Sequence, residues 1–371
     1  MHCQFILNTL GRGGAETHTV SLANALIALG HRCDVVALKR LPPRYGDELV
    51  PNADAAVFWC DSRGFIDFRA MRRLAKIIND RRADVLVAVN EYSMMYAHLA
   101  RRLAGQRIPV VVTFHTTLVP TLKERVKNRC QRIFFGLSDM LVYISECQAA
   151  YWRSRGVRAK AECVIHNGVD IDFFSMEQAE TMRGAARRQM GLDNAEYVIG
   201  LCGRFWPEKN HTQLVDAVAQ FRQEGVPVKA VLVGGGPNQS AVQQYVRARG
   251  LSDAVIFAGE QKDVRPYIAA FDVGVLCSTM ETFSVAALEI MAMGRPVVLS
   301  ELGGASEMVI EGKNGFLFPV GDTRAFIGHL RSLYDNTRRR MMGNKARQIV
   351  VERFSHGEMI RSYCEVLTAL L

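Results

Sequence analysis

The stretch from Ser278 to Val298, STMETFSVAALEIMAMGRPVV, decides how the rest of the chain is read. It carries two glutamates eight positions apart, Glu281 and Glu289. An apolar run, Phe271–Cys277, precedes it, and a small-residue helical pattern inside it breaks at Gly294 and Pro296. The order is strand, loop, helix, then a turn into the next strand. Glu281 falls in the loop at the mouth of the helix, and Glu289 about a turn and a half inside it. A helix N-terminus presents free backbone N–H groups and the positive end of a dipole, which suits a diphosphate. A carboxylate there repels phosphate but accepts hydrogen bonds from sugar hydroxyls. The ligand this pattern predicts is a phosphate that carries a sugar.

Upstream, a strand at Tyr197–Leu201 runs into Gly203-Arg204-Phe205-Trp206-Pro207-Glu208-Lys209-Asn210. Arg204 and Lys209 stand five apart in a loop ahead of a helix. Read for chemistry, they clamp a diphosphate, Arg through two parallel hydrogen bonds and Lys as a point charge; read blandly, they are surface charge. Val228–Val233 is a strand followed by the glycine loop Gly234-Gly235-Gly236-Pro237, and Val255–Phe257 another, followed by Gly259 and Glu260. Downstream, Val297–Ser300 is a strand leading to Gly303, Gly304 and Glu307. Gly312 and Gly315 punctuate a turn before Phe316–Phe318. A polar helical segment, Met176 to Met190, leads into this half.

The first half opens with a buried strand at Gln4–Asn8 and the loop Gly11-Arg12-Gly13-Gly14-Ala15-Glu16. A helical pattern through Leu22, Ala25, Leu26 and Leu29 ends at Gly30, and a second strand covers Cys33–Leu38. Strand, glycine loop, helix, strand is a Rossmann-type opening, although the spacing is not the G-x-G-x-x-G dinucleotide fingerprint. Further strands are expected at Ala55–Trp59, Asp84–Val89, Val110–Phe114, Met140–Ile144 and Cys163–Ile165, with helical patterns between them. The alternation implies a mostly parallel sheet with helices on both faces. In such sheets ligands bind at the carboxyl ends of strands. Asn90, Glu91, His115 and Ser145 each follow an expected strand end. His166-Asn167-Gly168-Val169-Asp170 marks the crossover between the halves, because Asn-Gly is a strong turn signal. Asp170-Ile171-Asp172 is formally a D-x-D metal-diphosphate motif, but it follows a turn in a linker and is discounted.

These motifs together resemble the retaining glycosyltransferases of family 4, glycosyl transferases group 1, and the resemblance covers nearly the whole chain. The matching segments are the E-x7-E pair Glu281/Glu289 with Ser278, Phe283, Ala292, Gly294 and Pro296, the G-R-x4-K-[GN] segment with Arg204 and Lys209, the GG loop at Gly13–Gly14, His115, the NGVD…F crossover, and Gly303-Gly304-x2-Glu307. The resemblance implies the GT-B fold: α/β, two Rossmann-like doubly wound parallel-sheet domains facing a catalytic cleft. The acceptor-binding domain would span 1–168 plus a crossover helix at about 352–371, and the donor-binding domain 169–351. It implies Glu281, His115, Arg204 and Lys209 as the catalytic set. Gly13, Gly14, Gly259, Val264, Thr282, Phe283, Ser284 and Glu289 join Arg204, Lys209 and Glu281 in donor contact. Glu289 would accept from ribose hydroxyls, Glu281 from the donor sugar, while Arg204 and Lys209 would hold the pyrophosphate. No metal or other cofactor is expected; the donor is a UDP- or GDP-sugar. Family members often carry an acidic residue after the histidine, and here Thr116 stands there.

Composition bounds the rest. At 371 residues the expectation is two to three domains. Hydrophobic content of 49% suffices for buried cores, and 22% charge is ordinary for a soluble chain. No signal peptide or spanning helix is read, and the nine cysteines lack C-x-x-C pairs, so a cytoplasmic enzyme is expected. The net charge of +9 is uneven: residues 1–168 hold 24 Lys and Arg against 14 Asp and Glu, while the remainder is nearly balanced. That asymmetry suggests an anionic partner for the first half. Two basic amphipathic stretches, Phe68–Arg82 and Thr121–Gly136, read either as solvated domain helices or as helices lying on an anionic membrane surface. The second stretch is the candidate for peripheral attachment to the inner face of the cell membrane. No nucleic-acid motif accompanies the charge. The expected acceptor is a glycan or lipid-linked acceptor of polysaccharide or lipopolysaccharide synthesis. Two rivals remain: a sugar-nucleotide epimerase or hydrolase on the same fold, and a non-catalytic basic membrane- or RNA-binding module.

Overall fold

The structure is a computed structural model and describes residues 1–11, 13–40, 54–115 and 132–371. The chain divides into two compact units: 1–167 with 358–371, and 168–357. Each is built on a parallel sheet. The first sheet has the order β3-β2-β1-β4-β5-β6-β7. Its strands are β1 His2–Leu7, β2 Arg32–Ala37, β3 Ala56–Trp59, β4 Val85–Val89, β5 Val110–Phe114, β6 Met140–Tyr143 and β7 Glu162–Val164. The second runs β10-β9-β8-β11-β12-β13. It consists of β8 Tyr197–Cys202, β9 Val228–Val233, β10 Val255–Gly259, β11 Val273–Leu276, β12 Val297–Ser300 and β13 Gly315–Phe318. Every pairing between named strands is parallel. Strands such as VLVAV and VVVTF, apolar at nearly every position and fully buried, are what a sheet covered on both faces requires.

The helix His356–Thr368 gives the first unit Met359, Tyr363 and Leu367, which pack with Phe5, Leu22 and Val87 in one core. The two passages of chain at residues 167–169 and 354–357 are bonded to each other. Val169 N–H donates to the Phe354 carbonyl at 2.9 Å, and His356 N–H to the Val169 carbonyl at 2.8 Å. A Cβ on Gly168 would lie 2.7 Å from the Ser355 carbonyl oxygen, so only glycine admits this approach.

The basic stretch at Phe68 is a helix, Phe68–Arg81, that buries Met71, Leu74, Ala75 and Ile78. Several of its cations serve the domain itself. Arg81 grips Asp34 of β2 at 2.8 and 2.9 Å. Those hydrogen bonds, with one from His2, outweigh burial and hold the Asp34 carboxyl down at about 2. Arg73 pairs with Asp61, and Lys76 with Asp80. In the other basic stretch, residues 121–131 lie outside the described residues, while 132–136 are helical. Among the described residues no helix is long and apolar enough to cross a membrane.

Gly312 and Gly315 bracket the turn ahead of Phe316–Phe318, Gly312 N–H donating to the Gly315 carbonyl at 2.9 Å. A Cβ on Gly315 would stand 2.4 Å from the Val297 carbonyl oxygen of the neighbouring strand. One local expectation is corrected. The run Phe271–Cys277 is strand only at Val273–Leu276. Phe271 instead fills the space over Gly200, where a Cβ would sit 2.1 Å from its ring. Gly200→Ala should therefore cost about 2 kcal/mol of stability through overpacking, measured by urea unfolding. Fast, fold-preserving accommodation without loss would show that the ring can move aside.

Candidate active site

The strand order of the second sheet reverses between β8 and β11. In parallel sheets the loops leaving the carboxyl ends on either side of such a reversal are where ligands bind. The first loop carries Arg204, which is exposed, and Lys209; the second carries Glu281. Lys209 Nζ donates to Glu281 Oε2 at 2.5 Å, with each side chain 23% exposed. The backbone joins the loops as well, Thr279 N–H donating to the Glu208 carbonyl at 2.7 Å. Cation and carboxylate, 72 positions apart in sequence, thus meet at one spot.

Two glycine loops support these chains from behind. Gly234 has φ +139°, and a Cβ on it would stand 2.1 Å from the Gly203 carbonyl oxygen. Gly236 has φ +154°, with the Phe205 carbonyl oxygen 2.7 Å from its Cβ position. On the other side Gly303 has φ +56°, and its Cβ would meet the carbonyl oxygens of Glu281 and Thr282 at 2.4 and 2.6 Å. Gly304 N–H donates to the Thr282 carbonyl at 2.7 Å. Backbone rests on backbone at both loops, so the position of Glu281 is set from underneath.

The helix behind the second loop is Val285–Ala292. Ser284 caps it, its Oγ accepting from Ala287 N–H at 3.3 Å. The preceding N–H groups, at Val285 and Ala286, keep no acceptor within the helix. The Phe283 ring is turned into the core against Phe354, centroids 5.6 Å apart. What Phe283 offers a ligand is therefore main chain. Glu289 keeps part of its surface open, yet protein surrounds its carboxyl, and no donor among the described residues bonds it. Desolvation raises it to about 7. Cys202, at the end of β8, is pushed up by its own burial and secondarily by the Glu289 charge. The Gly259 carbonyl accepts from Gly234 N–H at 2.8 Å, and Val264 precedes the short helix Arg265–Ala270.

In the first unit, Gly13 is the N-cap of helix Gly14–Ala28, and Gly14 has open space where a Cβ would be. His115 follows β5, its N–H donating to Asn90 Oδ1 at 2.8 Å. Asn90, at the head of helix Asn90–Leu103, has φ +62°, a left-handed backbone that asparagine tolerates better than most side chains. Burial lowers His115 to about 4, so it is neutral at pH 7. Its ring lies 4.8 Å from His18, and His18 lies 5.6 Å from Tyr363. His18 escaped the sequence reading, although its place one turn after Gly14 on the same helix face was available as a signal. Tyr363 left none, since only folding brings the last helix here.

Asp170 is a turn cap, its Oδ1 accepting from the N–H groups of Asp172 and Phe173 at 3.0 and 2.9 Å. Among the described residues no three His, Cys, Asp or Glu side chains converge as metal ligands.

Two family models match the chain: "Glycosyl transferases group 1" over residues 196–336 and "Glycosyltransferase Family 4" over residues 12–173. Among curated relatives, the N-acetyl-alpha-D-glucosaminyl L-malate synthase of Bacillus anthracis is 26% identical over 302 residues, 80% of this chain and 77% of that protein. An Escherichia coli UDP-Gal:alpha-D-GlcNAc-diphosphoundecaprenol alpha-1,3-galactosyltransferase is 24% identical over 298 residues, 78% of this chain and 76% of that protein. Among solved structures, Anabaena Alr3699/HepE in complex with UDP superposes with a TM-score of 0.84 at 24% identity, covering 100% of both chains. These neighbours share the two-domain GT-B architecture expected from the motifs.

Two substitutions separate support from chemistry. Gly303→Ala should displace the Glu281 loop and lower turnover about a hundredfold, as misplacement of a reacting group does; unchanged steady-state kinetics would mean the loop is not held from below. Glu289→Gln acts on stability. Its folded pKa, about 7, lies above the ordinary value of 4.5, so the cost of ionising it grows as pH rises through that window and is complete above it. The variant should therefore be about 2 kcal/mol more stable than the parent at pH 8, discounted for the open part of the side chain, and equal to it near pH 4.5. Equal melting curves at both pH values would show that Glu289 is not desolvated.

Proposed function

We propose that this chain, which belongs to the group 1 glycosyltransferases of family 4, moves a hexose from a UDP-sugar to a hydroxyl of a glycan or lipid-linked acceptor, with retention at the anomeric carbon. The observation that carries the reading is the Lys209–Glu281 pair at the switch point, flanked by exposed Arg204 and backed by desolvated Glu289. Uridine is supported by the UDP and UDP-glucose bound in the Anabaena neighbour. The lipid-linked class of acceptor is supported by the diphosphoundecaprenol substrate named for the Escherichia coli relative and by the positive excess of the first 168 residues.

In this reading Arg204 and Lys209 neutralise the diphosphate, and the open N–H groups at Val285 and Ala286 add dipole. Lys209 leaves Glu281 for the phosphate, which frees the carboxylate for the sugar hydroxyls and for positive charge near the anomeric carbon. Glu289 accepts from the ribose hydroxyls, while Gly259, Val264, Thr282, Phe283 and Ser284 supply main-chain contact. His115, neutral, and the Gly13–Gly14 loop serve the transferred sugar. The bond between the anomeric carbon and the β-phosphate oxygen breaks, the bond to the acceptor oxygen forms, and the acceptor proton passes to the leaving phosphate. No step requires a metal ion. The enzyme works as a peripheral protein at the cytoplasmic face of the membrane, drawn there by the positive excess of its first 168 residues.

Thermal melts with UDP, GDP, ADP and CMP test the donor site. At a hundred times its dissociation constant a nucleotide adds about 2.7 kcal/mol. UDP alone should raise the melting temperature, and Arg204→Ala and Glu289→Ala should abolish the rise. Because ribose needs the ionised carboxylate, UDP affinity should weaken as pH falls below about 7. Glu281→Ala should cut kcat about a hundredfold or more and leave stability nearly unchanged, since a partly exposed ion pair contributes at most about 1 kcal/mol. No stabilisation by any nucleotide would sink the donor assignment.

A further inference from the structure

We propose that the amino-terminal edge of the second sheet carries an anion site, distinct from the donor site, that takes a phosphate monoester of a small hydroxylated molecule. A hollow of about 650 Å³ lies there, within the range of small-molecule pockets. Four of its lining residues are arginines: Arg183, Arg295, Arg339 and Arg340. Its acidic residues are Glu180 and Asp272 alone, which leaves two positive charges unbalanced. Asp272 and Arg295 immediately precede or lead into β11 and β12, and Asn194 stands ahead of β8. The donor loops leave the opposite ends of the same strands. At about 3.3 Å per residue, strands of this length set the two edges roughly 15–20 Å apart.

Part of the cluster is structural. Asp272 receives Arg183 and Arg187 at 2.7 Å each and Val198 N–H at 2.8 Å, so its carboxylate is fully used. That staple explains Arg183 and the neighbouring Arg187, and Arg339 lies 3.7 Å from the same carboxylate and donates to the Leu333 and Tyr334 carbonyls at 2.8 and 2.6 Å, which leaves Arg295 and Arg340. Arg295 reaches the Ala269 carbonyl at 3.0 Å and a largely exposed Glu180 at 3.3 Å. Its Nε is buried without a partner. Desolvation, reinforced by the Arg183 charge, lowers Arg295 to about 10. Arg340 is exposed and has no partner among the described residues. Cations crowded in a hollow without matching carboxylates are costly unless an anion completes them. Guanidinium forks match phosphate oxygens, and the side-chain amides of Asn194, Asn336 and Asn344 around them can donate to and accept from hydroxyls.

The test uses the full chain, melted in inorganic phosphate, in glucose 6-phosphate, and in chloride at matched ionic strength. Saturable stabilisation is expected from both phosphates, with half-saturation lower for the sugar phosphate. Arg340→Glu should weaken both about tenfold, and Asn344→Leu should weaken the sugar phosphate more than phosphate. Both positions are exposed, so neither change threatens folding. Arg204→Ala, which disables the donor site, should leave the effect intact. Stabilisation lost in Arg204→Ala but kept in Arg340→Glu would overturn the proposal, because the ion would then sit in the donor site. So would an equal effect of chloride, and equal half-saturation by the two phosphates would overturn the assignment to a monoester.

Discussion

A parallel sheet delivers every strand's carboxyl end to the same edge, and where the strand order reverses two neighbouring loops must part. In the second unit that reversal falls between β8 and β11. The donor proposal rests on it: the Arg204–Lys209 loop and the Glu281 loop leave the sheet on either side of that reversal, and the Thr279–Glu208 and Lys209–Glu281 contacts tie them together. The glycines at 234, 236 and 303 are consequences of the same geometry. Loops that diverge from one seam need a floor, and a floor made of backbone on backbone leaves no space for a Cβ.

The two edges of that sheet manage charge in different ways. At the carboxyl edge a lysine and a glutamate neutralise each other while partly open to solvent, an arrangement cheap to break when a charged ligand arrives. Deeper in, Glu289 is held by no donor and is costly to ionise until hydroxyls reach it. A carboxyl left so is a cost to stability, of a kind often met at functional positions. At the amino edge Asp272 is saturated by arginines, and the cations outnumber their partners.

Much of this was legible in the sequence. The strands are apolar runs bounded by glycine and polar turns, so β5, β9 and β12 were placed to the residue and most others within one or two. Arg204, Lys209, Glu281 and Glu289 stood out because their places around loop and helix, together with neighbours such as Ser278, Gly294 and Pro296, form a pattern that the glutamate spacing alone would not. What stayed hidden depends on distance through space. Nothing local tells that Lys209 pairs with Glu281 or that Gly303 lies under the Glu281 carbonyl. Phe283 reads as a donor contact along with its neighbours; only the packing shows its ring on Phe354. The cluster of His18, His115 and Tyr363 needs the last helix brought back to the first sheet.

The second unit is an insertion within the first, since the chain leaves the first unit at Asn167 and rejoins it at Glu358. During synthesis residues 168–357 emerge complete, with all six strands of their sheet, before Met359, Tyr363 and Leu367 exist. The unit begun first is thus finished last. Until those three side chains arrive, the core that joins Phe5, Leu22 and Val87 lacks its last helix, so a nascent chain carries a complete carboxyl-terminal unit while one core of the amino-terminal unit is still unfinished.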